Sequence, residues 1–518
     1  MRVISGLIDR LARPDEPGVA VAVIRNGAVV ARHCAGLADL PHRVPITSTT
    51  RFHIVSVSKT FMAASVLLLQ ARGKLSLEDD IRAHLPELRH PGVVTIRHLL
   101  SLTSGLRDVL EIERLRGVWH TSPSRQQDLL ALAFAQTEVS LPPGAAYLYT
   151  NVNHVLLEQI IARASGQSAD DFRRAAICEP LGLIHTSARP CDGPAMPDLA
   201  EPYVREPTGW VRAHDLLGIA GDVLISSLDD LSRWVLTLRA GAIEGVPITA
   251  PMSTRASLAD GASAYYGLGL AVRRYRGLTV LCHTGTQPGY KAHIAYVAER
   301  DLGVVVLANR EDVRAAPLAA ELMSAALGAD FPAPMPRSVG TVDPALAGMF
   351  VDTANGEWLS IAIEGDVLQA ETCGDTLYLY RGADGVFRDG DDYRAGIPAS
   401  LMIDGTDACE LRLGGLRARL RRQATPSVVP SDYVGRYENR AIDSVHTVIE
   451  QNGTLFIQYG TGFDAARRFP MQPIAPGTFL VRPSAPGVAH RHVFRFEDDA
   501  AYVTMERLKG VRLSRSSP

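Results

Sequence analysis

From Val55 to Gln70 the chain reads Val-Ser-Val-Ser-Lys-Thr-Phe-Met-Ala-Ala-Ser-Val-Leu-Leu-Leu-Gln, apolar almost without a break after Thr60. A helix that is apolar on every side cannot lie on a surface, so other elements must enclose it. The run stops near Gly73, as a buried central helix does. At its entrance Ser56 and Lys59 stand three residues apart, which puts hydroxyl and amine on one face. A serine there is either an N-cap or a nucleophile favoured by the unpaired N–H groups of a helix start. Composition bears on that choice. The 53 basic residues include lysine only at Lys59, Lys74, Lys291 and Lys509. Where arginine is the default, a lysine on an apolar helix is notable, because only lysine sheds its proton readily when desolvated.

Around this helix the pattern is mixed. Gly18 to Ile24 and Val29 to Cys34 are β-rich runs joined by Asn26-Gly27, a strong hairpin signal. A short strand is expected near Phe52-Ile54. From Leu75 to about Ser227 the periodicity is helical with long loops, and Leu231 to Leu238 reads as a surface helix. Strands return around Tyr266-Leu270, Leu281 to Val297 (interrupted by a loop at His283) and Gly303 to Ala308. A helix, Ala315 to Leu327, follows. Strands at both ends with a helical insertion between them predict an antiparallel sheet flanked by helices plus an all-helical region. Pro332-Ala333-Pro334-Met335-Pro336 reads as a linker.

Beyond it the chain becomes all-β and repeats. Leu346-Ala347-Gly348-Met349-Phe350 resembles Tyr433-Val434-Gly435-Arg436-Tyr437, and the turn Gly365-Asp366 falls on Asn452-Gly453, at a common offset of about 87 residues. Short alternating strands need closure to hide their edges, so two small antiparallel β-barrels are expected. The fold class is therefore an α+β domain followed by two β-barrels, with domains at 1–331, 338–422 and 431–518.

A serine hydroxyl needs a base, an oxyanion hole and a proton donor for the leaving group. Lys59 and Tyr149 are the candidate bases, and which of them acts in each half-reaction is open. In Tyr149-Thr150-Asn151 the phenol and the Asn151 amide sit two residues apart at a helix entrance, able to converge on one cleft. In His283-Thr284-Gly285-Thr286, glycine allows a substrate backbone to come close. His283 is expected to face the site, and the N–H groups of Ser56 and Thr286 to form the oxyanion hole. Lys291, just beyond, is a candidate for charge complementarity.

Ser56-Val57-Ser58-Lys59, Tyr149-Thr150-Asn151 and His283-Thr284-Gly285, in this order, resemble the three motifs of the class C β-lactamase-like serine hydrolases, the penicillin-recognising SxxK enzymes. Thr103-Ser104-Gly105-Leu106, Pro143-Gly144, Pro180-Leu181-Gly182 and Tyr266-Gly267-Leu268-Gly269-Leu270 extend the likeness across the first domain. Histidine in the third motif, where penicillin-handling members carry lysine, points to the peptidase and esterase branches. With two barrels behind it, the chain resembles the bacterial D-aminopeptidase family. Asp39-Leu40, Ser104-Gly105-Leu106-Arg107-Asp108 and Lys509-Gly510-Val511 add to that resemblance. It implies release of N-terminal D-Ala, D-Ser or Gly from small peptides, amides and esters through an acyl-enzyme on Ser56, by a homodimer. It also implies eight-stranded barrels, and a loop of the last barrel that limits the cleft and helps hold the substrate amine. Carried over, that loop is Arg482, Pro483, Ser484, Ala485, Pro486, Gly487, Val488, Ala489 and His490, which contains no carboxylate for an ammonium. The alternatives of the same fold are an esterase, a D-amino-acid amidase and a D-Ala carboxypeptidase. A further alternative is an inactive scaffold whose barrels bind partners.

Bulk properties set outer limits. A net charge of −3 offers no footprint for nucleic acid or an anionic membrane. Apolar runs fall short of a membrane span, and the first 18 residues make a poor signal peptide. Six scattered cysteines without a CxxC pair suggest neither a zinc site nor a disulfide framework, but reduced thiols in a cytoplasmic protein. No metal or organic cofactor is expected, since protein groups can supply nucleophile, base and oxyanion donors.

Overall fold

The structure is a computed structural model that describes residues 6, 13–90, 92–118, 126–188, 196–213, 224–334, 341–374, 376–389, 393, 398–424, 431–460, 467–485 and 488–516. Six strands form the central sheet: β1 (Val19–Arg25), β2 (Ala28–Ala35), β3 (Ala271–Tyr275), β4 (Leu278–Gln287), β5 (Tyr290–Val297) and β6 (Leu302–Ala308). Their order is β3-β4-β5-β6-β1-β2, antiparallel throughout. The first and last thirds of the domain thus meet along the β1–β6 pairing, Val19 opposite Ala308 and Arg25 opposite Leu302. Asn26 and Gly27 both take positive φ, as the tight β1–β2 hairpin requires.

Five helices matter for the site: α1 (Ser58–Ala71), α2 (Val109–Leu115), α3 (Val152–Ser165), α4 (Leu228–Ala240) and α5 (Ala315–Leu327). The period-2 alternation of β1 sorts its side chains between two cores. Val19, Val21 and Val23 pack with Leu318 and Leu322 of α5, while Ala20, Ala22 and Ile24 join α1 and α4 on the other face. Helix α1 is buried from Ser58 to Leu69. Phe61 stacks on Trp234 of α4 with centroids 4.1 Å apart, and the Trp234 indole N–H donates to Thr60 Oγ1 at 2.9 Å.

Three local readings change. The strand expected at Tyr266–Leu270 begins only at Ala271, because Gly267 and Gly269 bend the chain under the backbone of Met252 and Lys59. His283 lies within β4 rather than in a loop; the hairpin turn comes at Pro288-Gly289. Helix α4 is largely enclosed, with Leu228, Leu231, Trp234, Val235 and Leu238 in the core.

Both β-rich segments close into eight-stranded barrels, the first from Gly348–Val351 to Leu416–Arg422 and the second from Gly435–Asn439 to Leu508–Ser516. The repeat has a physical basis at the seam. Gly348 and Gly435 open the two barrels with φ of 148° and 157°, and the space a Cβ would fill is taken by Arg422 and Arg515 of the closing strands. Those arginines lie over Phe350 and Tyr437, two residues further on. The five described cysteines, Cys34, Cys178, Cys282, Cys373 and Cys409, are free thiols.

The second barrel does not stand apart from the catalytic domain. Ile112 and Leu115 of α2 are fully buried in the barrel core with Phe494, Val503 and Met505. Ser444 Oγ donates to the Leu115 carbonyl at 3.1 Å. Helix α2 therefore stoppers one end of the barrel. Replacing Ile112 with Ala removes buried volume from that plug and is expected to cost about 2–5 kcal/mol in urea denaturation. Amide exchange should accelerate in the barrel strand Ala500–Met505 more than in β1.

Candidate active site

Ser56 sits in a single 3-10 turn, Val55–Val57, that feeds α1. Val55 has φ of 48°, a left-handed conformation that a β-branched residue adopts only under constraint. That bend turns Ser56 out of the helix start, and neither the turn nor α1 has a side-chain N-cap bond. The Ser56 hydroxyl meets side chains instead. Lys59 Nζ donates to its Oγ at 3.2 Å, and the Tyr149 hydroxyl donates at 2.7 Å.

Lys59 is 2 % exposed. Its amine also reaches Asn151 Oδ1 at 3.5 Å and lies 5.2 Å from the centre of the Tyr149 ring. Asn151 is oriented from behind: its backbone N–H donates to Asp108, which caps α2 by accepting from Leu110 N and Glu111 N. Ser104 Oγ donates to Asn153 Oδ1 at 2.6 Å, and Asn153 Nδ2 to Thr150 Oγ1 at 3.0 Å. The Tyr-Thr-Asn turn is thus held by the segment that carries Ser104 and Asp108.

Strand β4 passes close against Ser56. A Cβ on Gly285 would fall 2.3 Å from the Ile54 carbonyl oxygen and 3.1 Å from Ser56 N, so glycine alone allows the approach. The β3 pairing ends at Ala271 opposite Cys282, while β5 continues along β4 with Thr286 opposite Lys291. Thr286 is exposed.

His283 shares the Gly285 face of β4, but its ring nitrogens are engaged elsewhere. Nδ1 lies 3.0 Å from the Thr284 carbonyl and Nε2 2.8 Å from the Tyr266 hydroxyl. A carbonyl can only accept, so Nδ1 carries the proton and Nε2 accepts from tyrosine. Burial, reinforced by the nearby Lys59 charge, pushes the imidazole down to about 3. It is neutral in the folded site at pH 7. Lys291 is bound to Glu311 at 2.8 Å, and burial lowers its amine. Neither His283 nor Lys291 contributes an unpaired cation beside Ser56.

The specificity loop expected at Arg482–His490 is described only in part. Ser484–Ala485 pairs with Val488–Ala489 as a short ribbon, and Pro486 and Gly487 lie outside the described residues. The described contacts at its base lead to the first barrel, because Glu371 there offers a carboxylate to arginines on either side. Arg482 donates to it at 3.0 Å and Arg491 at 2.7 Å. A second turn of the last barrel, Glu506-Arg507, reaches the site, where Arg507 lies over the Tyr149 ring, 4.8 Å from its centre. Sequence reasoning missed Asp108, Tyr266 and Arg507. Asp108 ahead of an apolar helical segment carried a cap signal, whereas a turn residue far along the chain carried none.

Residues 6–327 match the Beta-lactamase family. A D-aminopeptidase of Cereibacter sphaeroides is 28 % identical over 473 residues, 90 % of this chain and 88 % of the relative. A D-aminopeptidase of Gluconobacter oxydans is 30 % identical over 356 residues, 68 % of this chain and 66 % of the relative. Among solved structures, the octameric penicillin-binding protein homologue of Pyrococcus abyssi superposes with a TM-score of 0.56 at 19 % identity, covering 99 % of this chain and 98 % of that one. The D-amino acid amidase of Ochrobactrum anthropi SV3 superposes with a TM-score of 0.51 at 22 % identity, covering 60 % of this chain and 91 % of that one.

The His283 environment has a measurable consequence. An unfolded histidine near 6.5 binds a proton that the folded ring, at about 3, refuses. Stability from this group is complete above about 6.5 and is lost as pH falls towards 3. In denaturation curves taken across that window, His283→Gln should show a shallower acid loss of stability than the parent.

Proposed function

Since this chain belongs to the beta-lactamase family, we propose that it is a serine hydrolase acting on D-amino-acid substrates through an acyl-enzyme on Ser56. The observation that carries this reading is the position of the Ser56 hydroxyl, in hydrogen-bond reach of both Lys59 Nζ and the Tyr149 hydroxyl. One nucleophile within reach of two groups that can exchange protons is what acyl transfer needs. Ser56 Oγ bonds to the substrate carbonyl carbon while its proton passes to the Lys59–Tyr149 pair, and the carbonyl electrons move to the oxygen. That oxyanion is received by the N–H groups of Ser56 and Thr286. Collapse breaks the bond to the leaving nitrogen or oxygen, which takes the proton held by the pair. Water activated by the same pair then frees Ser56.

Asn151 and Gly285 are assigned to substrate placement, Asn151 through its amide beside Lys59 and Gly285 by admitting the substrate backbone. His283 acts as a neutral dipole fixed by Tyr266, and Lys291 supports the Thr286 edge from its ion pair with Glu311. The preferred substrates are short peptides, amides and esters with a free N-terminal D-residue such as D-Ala, D-Ser or Gly. The support is the D-aminopeptidases, which align along most of this chain. We keep domain limits at 1–331, 338–422 and 431–518, and a cytoplasmic homodimer as the working form. Among the described residues, no helix is long and apolar enough to cross a membrane.

Ser56→Ala should reduce turnover by several orders of magnitude and abolish labelling by a serine-directed phosphonate. Surviving labelling would remove Ser56 as the nucleophile. D-Ala-p-nitroanilide should be cleaved in preference to its L-enantiomer and its N-acetyl derivative. Equal rates on all three, with fast p-nitrophenyl acetate hydrolysis, would replace the aminopeptidase by an esterase. Light scattering separates the homodimer from an octamer such as the one described for the Pyrococcus abyssi homologue.

A further inference from the structure

Two basic side chains approach the Tyr149 ring. Lys59 approaches from α1, 5.2 Å from the ring centre, and Arg507 approaches from the second barrel at 4.8 Å. Arg507 occupies the turn between the barrel strands Ala500–Met505 and Leu508–Ser516. That turn is docked at several points. Its carbonyl accepts from Asp108 N at 3.4 Å, Lys509 N donates to Ser140 Oγ at 3.1 Å, and Lys509 Nζ pairs with Glu357 of the first barrel at 2.6 Å. The Arg507 side chain is 27 % exposed, so its guanidinium borders the cleft rather than lying sealed in the core.

The remaining groups around the phenol leave Arg507 distinctive. His283 and His154 are held neutral by burial, Lys291 is bound to Glu311, Tyr147 is a buried phenol and Tyr265 a partly buried one. Around Arg507 itself stand Glu506, in contact at 3.4 Å, with Asp108 and Glu111 acting on it electrostatically. Glu111 is already paired with Arg114 at 2.6 Å. Asp108 is occupied by the α2 cap and the Asn151 N–H. A planar guanidinium can stack on a ring face and still carry a full charge at any working pH, which a neutral side chain cannot do.

We propose that Arg507 is a positioning residue supplied by the second barrel, which clamps the Tyr149 ring over Ser56 and favours negative charge on the phenol oxygen during acyl transfer. The site is then composite. The catalytic domain supplies nucleophile and base, and the barrel supplies the cation that the third motif, with histidine in place of lysine, does not. This inference rests on the Ser56 acyl-enzyme reading above.

The test measures the pH dependence of Ser56 acylation by a serine-directed phosphonate in the full-length protein, for the parent and for Arg507→Met, Arg507→Gln and Arg507→Lys. The limb that falls towards acid reports protonation of the Lys59–Tyr149 base. It should move up by about one pH unit in the two neutral variants, with roughly tenfold slower labelling below it, and return towards the parent position in Arg507→Lys. Labelling is read only over the pH range in which circular dichroism shows each variant folded, so acid unfolding does not move the limb. An unmoved limb in both neutral variants, with Ser56 still labelled, overturns the inference and leaves the hydrolase reading intact. Absence of Ser56 labelling in the parent at every pH removes the hydrolase reading and this inference with it.

Discussion

The burial of Lys59 is the constraint on which the rest of the site depends. Taking a charge out of water costs several kcal/mol unless a partner compensates, and among the described residues no carboxylate is paired with this amine. Its neighbours are the Ser56 hydroxyl, the Asn151 amide oxygen and the face of Tyr149. Held by neutral polar groups and an aromatic face, the amine stays within hydrogen-bond reach of the Ser56 hydroxyl. The enclosure of α1, where Phe61 stacks on Trp234, and the close approach of β4 at Gly285 leave the amine 2 % exposed.

How much of this was legible in the sequence depends on distance along the chain. The helix at Ser58–Ala71 and its Ser-x-x-Lys entrance are local, and local periodicity finds them. Both barrels were legible because a repeated seam leaves a repeated pattern, Gly348 with Phe350 and Gly435 with Tyr437. The register of the third motif was harder. Its Gly-bearing run suggested a loop, yet β5 pairs along the whole of it, and the glycine serves close approach rather than a turn. The orientation of His283 was invisible, because the hydroxyl that claims its Nε2 belongs to Tyr266, on a segment whose bend no local signal places.

The barrel contribution shows the same limit more sharply. The ribbon at Arg482–His490, named from the resemblance, is tied at its base to Glu371 of the first barrel through Arg482 and Arg491. Arg507 and Tyr149 are brought together by how two domains dock, and docking is written in shape rather than in periodicity. The helix that sets the docking, α2, carries Glu111 and Arg114 on a segment that also holds Ile112 and Leu115. Read alone, it is an ordinary amphipathic helix with a solvated charge pair; in the structure that pair is buried at 2.6 Å.

The two barrels differ at the point where this matters. The described core of the first is formed by apolar side chains such as Phe350, Leu368, Leu379 and Leu401. The second buries Ser444, His446, Tyr459 and His492 beside its apolar core, with Ser444 on the Leu115 carbonyl and Arg114 close enough to His492 to oppose its protonation. A polar end of this kind suits the stopper that α2 provides, since a buried charged pair needs polar neighbours to be tolerated. The same stopper begins at Asp108, which accepts the Asn151 N–H, and the same barrel ends in the turn that lays Arg507 on Tyr149. The barrel therefore meets the Tyr-Thr-Asn turn at two places, through the α2 stopper whose cap Asp108 holds Asn151 and directly at Tyr149. That gives a physical reason for the second barrel to sit where it does, whatever substrate the cleft admits.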